Sequence, residues 1–193
     1  MTVVTGDIVS HVRAALGFEL GLTESGRPKI LGPALGKPKW PHKLAHHRTV
    51  AVDTTPTADG EFWPTPRFEI LIANLDAVGI SVIQIGDATS ERLARANHHY
   101  RKLANPERAG VIANCLLWIG MNTPWRFVAA ALDKPQIVIA SAQSHIEPRW
   151  KDTYVVDASS HAPESKTLGP ISVTAVAAAV TSALKQLGAT PST

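Results

Sequence analysis

The sequence is poor in the residues and patterns that mark several protein classes. Its 193 residues include one cysteine, Cys115, so no disulfide can form within the chain. Arg, Asp, Lys or His interrupts every apolar run before it reaches the roughly 20 residues that cross a bilayer. Near the start, Asp7 and His11 fall where a signal peptide needs an unbroken apolar region. These absences favour a cytoplasmic protein with no transmembrane segment.

Short motifs with well-understood chemistry are also missing. There is no Walker loop, no GxGxxG, no GxSxG and no CxxC. The pairs His46-His47 and His98-His99 have diverging side chains, and no metal-binding spacing such as HExxH occurs. We interpret Cys115, just before an apolar strand, as a small buried hydrophobic residue rather than a nucleophile. We therefore expect no metal ion and no cofactor.

The remaining composition is that of one globular domain, with 45% hydrophobic and 18% charged residues. The net charge of +3 is unevenly spread. Much of the excess lies in a basic connector, which contains Lys37, Lys39, His42, Lys43, His46, His47 and Arg48. This run is either a solvated connector or a surface for an anionic partner, such as a phosphate, an acidic glycan, a nucleic acid or a membrane.

Apolar periodicity predicts strands that alternate with helices after residue 48. We predict strands at 49–53, 80–85, 116–119 and 136–140, with room for a short one at 154–157. Helices are predicted at 7–20, 65–78, 105–113, 123–134 and 173–187, and another on the stripe of Leu93, Ala96, Tyr100 and Leu103. Thr65 is expected to cap its helix, with Pro66 at the first helical position.

This alternation predicts an α/β fold with a single Rossmann-like parallel sheet and helices on both faces. Continuous apolar strands such as ISVIQI and QIVIA suit a sheet that is buried on both sides. Residues 1–47 are assigned to an N-terminal helix and an irregular connector. Residues 48–188 form the Rossmann-like domain, and residues 189–193 form a tail.

In open parallel sheets, ligands bind beyond the carboxyl ends of the strands, which makes loops 54–64, 86–90 and 120–126 the candidates. In the last loop, a helix begins directly after a strand, and its N–H groups and dipole favour an anion. Gly120 would let a ligand approach the backbone, and Arg126 would add a charged contact. The alternative is that Thr123 only caps the helix and Arg126 faces water.

The other two loops also leave alternatives open. After strand 80–85, Asp87 either contacts a ribose or base edge, or caps the next helix. In the first loop, Asp59 and Glu61 either act as acid or base, or are simply solvated.

One long segment resembles a known family. VIANCLLWIGMNTPWRFVAAALDKPQIVIAS resembles the donor-binding block of the ADP-heptose–lipopolysaccharide heptosyltransferases, whose pattern is a short helix, a strand, Gly-x-Asp-[Ser/Thr]-Gly-x-x-His and a further strand. TVAVDTT, FWPTPRFEILIANLDAVGISVIQIGD and GPISVTAVAAAVTSAL resemble other parts of the same half in the same order. ALGFELGLTESGRPKI resembles the interdomain stretch that precedes it.

The resemblance covers about residues 14–187 and implies the C-terminal, donor-binding half of a GT-B glycosyltransferase. Together with the position of the loops at the carboxyl edge, it leads us to expect that donor binding falls to Arg126, which is our own inference and not a family feature, and to Thr54, Thr55, Gln84, Gly86, Asp87, Gly120, Asn122, Thr123 and Trp125. No catalytic residue is assigned, because the family's base belongs to the acceptor-binding domain.

The chain departs from the family pattern at four positions. Asn122 stands where the family has Asp, Pro124 where it has Gly, and Phe127 where it has His. Glu61 replaces a Lys that often lies two residues before the Trp-Pro pair. Losing the Lys and the His weakens phosphate binding, whereas Asn122 removes a repelling charge.

Two hypotheses follow. The first is a glycosyltransferase, or a glycosyltransferase subunit, that binds an ADP- or UDP-sugar. A homo-oligomer or a partner chain would supply the acceptor side, with an anionic acceptor near the basic connector. The second is a degenerate, non-catalytic binding or interaction module, since fold alone does not fix function. We also predict that Trp63, Trp118, Trp125 and Trp150 help to form a covered interface, with core packing as the alternative for Trp118.

Overall fold

The computed structural model describes residues 10, 12–24, 26–32, 35–142, 144, 146, 150, 152–158 and 167–189. The strands in this part of the chain are β1 Glu19–Leu22, β2 Pro28–Gly32, β3 Thr49–Asp53, β4 Ser81–Ile85, β5 His98–Tyr100, β6 Trp118–Met121, β7 Gln136–Ala140 and β8 Thr153–Asp157. The main helices are α1 Thr65–Ala77, α2 Asn105–Asn114, α3 Trp125–Ala131 and α4 Val173–Gln186. Residues 12–16 are also helical, and His46–Arg48 form one 3-10 turn.

Six strands form one parallel sheet in the order β5-β4-β3-β6-β7-β8. If these six strands are renumbered 1 to 6 in chain order, starting with β3, their order in the sheet is 3-2-1-4-5-6. This is the Rossmann order. In this register Asp53 lies beside both Ile85 and Gly120, so the central strands end at one common edge. The predicted parallel sheet is confirmed.

Side chains that alternate along the strands feed two hydrophobic cores. On β3, Val50 and Val52 face one core and Ala51 faces the other. The first core is closed by α1 and α4, and the second by α2 and α3. The helices therefore cover both faces of the sheet, as the continuous apolar strands predict.

The N-terminal prediction is wrong in two respects. The helix predicted at 7–20 ends before Gly17, which has a φ of 71°, and β1 follows it. Within the predicted irregular connector, β2 pairs with β1 as an antiparallel hairpin. Arg27 ties this hairpin to the domain, since its Nε donates to Ala130 O at 2.9 Å and its Nη1 lies 3.3 Å from Asp152 Oδ2. The pairing of such short strands depends on tertiary contacts of this kind. Of the residues predicted as helical, 7–9 and 11 lie outside the described residues.

The helix predicted on Leu93, Ala96, Tyr100 and Leu103 is also wrong. This segment forms turns and then the edge strand β5. Asn97 starts the pairing with β4, because its N–H donates to Val82 O at 2.9 Å and its Oδ1 accepts from Val82 N at 2.6 Å. Leu93 and Ala96 lie in these turns and are buried in the first core. Their apolar spacing therefore reflects this burial and not the period of a helix.

Helix α1 begins at the expected residue but without the expected cap. Pro64 occupies the N-cap position, and no side chain caps the helix. The Thr65 hydroxyl instead donates to Glu91 Oε2 at 2.5 Å. At the other end, Gly79 has a φ of 72°, as expected of a glycine that stops a helix.

Candidate functional site

A cavity of about 640 Å³ opens at the carboxyl edge of the sheet. Thr57, Ala58, Asp59 and Glu61 line it from the loop after β3, Asn122 from the loop after β6, and Ser141 and Ser144 from the segment after β7. Its position is over the β3–β6 boundary, where the strand order reverses. Because ligands of open α/β sheets bind at this switch point, we call it the switch-point cavity.

Beneath this edge lies a buried ion pair that sequence reasoning missed. Asp53, the last residue of β3, is 1% exposed and pairs with Arg108 Nη2 from α2. Its Oδ1 also accepts from Thr55 N at 2.9 Å, and its Oδ2 lies 3.3 Å from Trp118 Nε1. Burial lowers the pKa of Arg108, and the negative charge of Asp53 opposes that shift.

Aromatic packing encloses this ion pair. The Arg108 guanidinium carbon lies 4.2 Å from the centre of the Trp125 ring, and Phe18 meets that ring edge-on at 6.3 Å. Arg108 Nη2 also donates to the Thr55 hydroxyl, while its buried Nε has no partner among the described residues. The pair therefore couples the end of β3 to α2 and α3.

Two predicted site residues, Thr54 after β3 and Gln84 within β4, are hydrogen-bonded to each other. Gln84 is fully buried, and its Nε2 donates to Thr54 Oγ1 at 2.9 Å. Its Oε1 accepts from Leu93 N at 2.9 Å. Gly86 is buried where a Cβ would press against Ser90 and Thr54, so a side chain does not fit there. These groups hold the loops together, and Thr54 also lines a separate cavity of about 190 Å³.

Asp87 organises a turn, and the helix that it was expected to cap does not form. Its Oδ1 accepts from Thr89 N and Ser90 N, each at 2.9 Å. Burial alone would raise the pKa of Asp87, but hydrogen bonds from the side chains and backbones of Thr89 and Ser90 produce a net lowering. The carboxylate therefore stays ionised and stabilises the loop after β4.

The loop after β6 is more closed than its sequence suggests. Gly120, predicted in this loop, lies within β6, and a Cβ on it would overlap the Trp118 ring, so this glycine is needed for Trp118 to pack. Thr123 is 4% exposed, and its hydroxyl has no hydrogen-bond partner among the described residues. The N-cap of α3 is Pro124 with no side-chain cap, so the expected capping role of Thr123 is wrong.

Backbone groups at the start of α3 are also largely occupied. Thr123 N donates to Met121 O, Arg126 N to Thr123 O, and Phe127 N to Pro124 O, at 2.8–3.1 Å. Arg126 is 2% exposed with its guanidinium carbon 4.1 Å from the centre of the Phe127 ring, so it does not face water. Trp125 is likewise buried, at 2%. Ten donor-binding residues are predicted from the sequence. Of these, Asn122 lines the switch-point cavity and the other nine do not.

The tryptophans are mostly internal. Trp63 and Trp118 are fully buried, and Trp63 Nε1 donates to Ile171 O at 2.9 Å. Together with buried Trp125, they form no outer surface, so the predicted interface is wrong for these three residues. Core packing of Trp118 is confirmed. Trp150 is half-buried and meets the Phe127 ring edge-on at 6.1 Å.

Cys115 is buried at 2%, and burial raises the pKa of its thiol to about 12. This confirms its interpretation as a packing residue, since the reactive thiolate is disfavoured. Among the described residues, no three His, Cys, Asp or Glu side chains are grouped to hold a metal ion. No helix in the described ranges is both long and apolar enough to span a membrane.

No protein-family model and no curated protein matches the sequence. Solved structures do match the fold. ADP-heptose lipopolysaccharide heptosyltransferase II of E. coli superposes with a TM-score of 0.60 at 17% identity, over 76% of this chain and 49% of that one. A family 9 glycosyl transferase from Veillonella parvula gives 0.58 at 16% identity, over 75% and 48%.

A third match is the dodecameric iron-containing heptosyltransferase TibC in complex with ADP-D-β-D-heptose, from enterotoxigenic E. coli. It gives a TM-score of 0.57 at 18% identity, over 84% of this chain and 51% of that one. The chain thus spans about half the length of the structures it matches. Its Rossmann-like sheet is confirmed as half of the GT-B fold of the heptosyltransferases, the resemblance that the sequence motifs indicate.

Proposed function

We propose that this chain binds a nucleoside-diphosphate sugar in the switch-point cavity, as the donor-binding part of a glycosyltransferase. The observation that carries the proposal is the cavity's position over the β3–β6 boundary of a 3-2-1-4-5-6 sheet. Its volume of about 640 Å³ lies within the roughly 300–1,000 Å³ typical of small-molecule sites. Matching heptosyltransferases have been solved with ADP-heptose or ADP, which supports the choice of ligand.

The lining supplies groups suited to a glycosyl donor. The Asn122 amide and the Ser141 and Ser144 hydroxyls can donate hydrogen bonds to phosphate or sugar oxygens. The Asp59 and Glu61 carboxylates can accept hydrogen bonds from sugar hydroxyls. Transfer also needs a base that deprotonates the acceptor hydroxyl. A second copy of the chain, a partner chain or the substrate would supply it; among the matches, TibC is dodecameric.

Two observations favour the alternative of a non-catalytic binding module. Asp59 and Glu61 repel a diphosphate, and no Lys or Arg is among the described residues that line the cavity. Phe127, at the position of the family's His, is 8% exposed and packs in the second core. The two functions differ in whether a nucleotide binds saturably.

Calorimetric titration with ADP, UDP and their sugars tests the proposal, with Glu61→Lys as the informative variant. Replacing a repelling carboxylate by an ammonium should tighten ADP binding by about tenfold or more, because a charged hydrogen bond contributes about 1.5–3 kcal/mol. The backbone of Glu61 makes its bonds to Thr57, since its N–H donates to Thr57 Oγ1 at 3.1 Å and its O accepts from Thr57 N at 2.8 Å. The loop should therefore persist in this variant.

Glu24→Lys is the matched control, since it makes the same charge change at an exposed turn of the hairpin. It should leave ADP affinity unchanged. If the wild-type chain shows no saturable binding at millimolar nucleotide, and Glu61→Lys binds no better than Glu24→Lys, the donor-site proposal fails. The binding-module function is then the better account.

A further inference from the structure

A second, larger opening lies beside β5, at the lateral edge of the sheet. It has a volume of about 700 Å³ and is lined by residues of the segment 92–103. The residues that matter for its chemistry are Arg92, Asn97, His98, Tyr100, Arg101 and Lys102. We call it the β5 cleft. It is separate from the switch-point cavity and shares no lining residue with it.

The residues that line the β5 cleft carry a net positive charge. Arg92, Arg101 and Lys102 contribute three positive charges, and no carboxylate lines the cleft. Among the described residues, none of these cations forms an ion pair. Two carboxylates lie near the cleft without pairing with these cations: Glu69 accepts from the backbone N–H groups of Ala94 and Arg95 at 2.5 and 3.0 Å, and Glu91 accepts from Thr65.

Several donors at the cleft are already fixed in position. Arg101 Nη1 donates to Ser90 O at 2.5 Å, which holds the guanidinium at the cleft wall. His99 Nε2 lies 2.7 Å from Leu93 O, so this nitrogen carries the proton. Asn97 Oδ1 is occupied by Val82 N, which leaves its NH2 group to donate. Fixed donors lose little conformational entropy when a ligand binds.

The basic connector extends this positive surface. The Tyr100 hydroxyl donates to Lys39 O, so the connector is attached directly beside β5. Lys37, Lys39 and Lys43 are all exposed. The connector therefore brings the exposed Lys39 close to the β5 cleft.

The aromatic groups of the cleft favour a small phosphorylated ligand over a nucleic acid. Single strands are held by bases that stack on open aromatic faces. Here His98 and Tyr100 pack against each other, with ring centres 4.4 Å apart at 66°. The Tyr100 hydroxyl is also bonded to Lys39 O, so its ring is held in place. Charge, rather than stacking, is what the cleft offers.

We propose that the β5 cleft binds a phosphate group, either free or carried as a monoester on a saccharide. Arg92, Arg101 and Lys102 would neutralise its charge, and the Asn97 amide would donate to its oxygens. This site is independent of the proposed nucleotide-sugar function.

NMR of the His98 and His99 ring signals tests this proposal, with inorganic phosphate and glucose 6-phosphate as probes. Both should shift these signals saturably, and tighter binding of glucose 6-phosphate would identify a saccharide carrier. Lys102→Glu should weaken phosphate binding by about tenfold or more, because it replaces a charged contact by a repelling one. Lys185→Glu, an exposed position on α4, makes the same charge change and should have no effect.

Arg92→Glu gives a second test of the same cleft and should weaken binding similarly. The proposal is overturned if neither probe shifts the histidine signals saturably. It is also overturned if Lys102→Glu and Lys185→Glu have equal effects, or if a thymidine oligonucleotide binds more tightly than glucose 6-phosphate. Glu61→Lys should change ADP binding but leave phosphate binding near His98 unaltered. A failure of the phosphate-site proposal is therefore distinguishable from a failure of the nucleotide-sugar proposal.

Discussion

At the scale of single residues, the Asp53–Arg108 pair links the end of β3 to α2. Asp53→Asn would leave the Arg108 guanidinium buried without its counter-charge. Breaking one side of a buried ion pair typically costs about 3–5 kcal/mol, so the free energy of unfolding should fall by that amount. Urea denaturation followed by circular dichroism measures the change.

Asp76→Asn is the matched control for this experiment, because Asp76 is exposed on α1. It should change stability by no more than about 0.5 kcal/mol. The double variant Asp53→Asn/Arg108→Met removes the buried charge and should recover much of the loss. Equal midpoints for Asp53→Asn and Asp76→Asn would show that the pair does not stabilise the fold.

The sequence predicts the position of loop residues at the site but not the burial of helical side chains, for a physical reason. Chain order and parallel strand direction fix which loops meet at one edge, so the loops that contain Asp59, Glu61 and Asn122 can be placed at the carboxyl edge from the sequence. The direction of a side chain from a helix depends on how the helix is rotated against the sheet. That rotation buries Arg108 and Arg126, and local sequence does not reveal it.

At the scale of elements, α2 and the connector meet at two glycines. Gly36 N donates to Pro106 O at 2.8 Å, and a Cβ on Gly110 would overlap Gly36 O. Gly→Ala inside a helix normally stabilises by about 0.5–1 kcal/mol. Gly110→Ala should instead destabilise, because backbone atoms cannot move aside as a flexible side chain can. A lowered thermal midpoint measures the effect.

Gly169→Ala serves as the comparison, since its Cβ would lie 3.6 Å from the nearest atom, Thr167 Oγ1. Its thermal midpoint should stay close to that of the wild type. A Gly110→Ala chain as stable as the wild type would mean that the connector is not packed against α2 in solution.

The elements that sequence predicted best are those buried on both faces. β4 and β7 have continuous apolar runs because helices cover both sides of the sheet, and this is visible in the sequence alone. β5 is a three-residue edge strand, His98–Tyr100, that gains its pairing from Asn97 and β4. The hairpin β1–β2 depends on Arg27 and α3. Neither element has a local period that would predict it.

At the scale of the whole molecule, the question is what covers its remaining apolar surface. The sequence predicts a homo-oligomer or a complex with a partner chain, but three of the four tryptophans proposed for that interface are in the core. The exposed apolar side chains are scattered: Leu31 on the hairpin is 60% exposed, Ile70 on α1 52% and Phe62 47%. Leu31 is the most exposed large apolar side chain in the described ranges, which makes the hairpin the first candidate for a contact.

We therefore expect light scattering at micromolar concentration to give a mass that is a multiple of 20.6 kDa. Leu31→Lys should shift the mass towards that of the monomer, because a buried ammonium at an interface is strongly disfavoured. Ile70→Lys is the matched control, since Ile70 on α1 is 52% exposed. Helix α1 covers one face of the sheet, whereas the hairpin contacts α3 on the opposite face. If both variants dissociate the assembly equally, the hairpin is not the specific contact. If the wild-type chain alone is strictly 20.6 kDa, self-association of this chain is wrong.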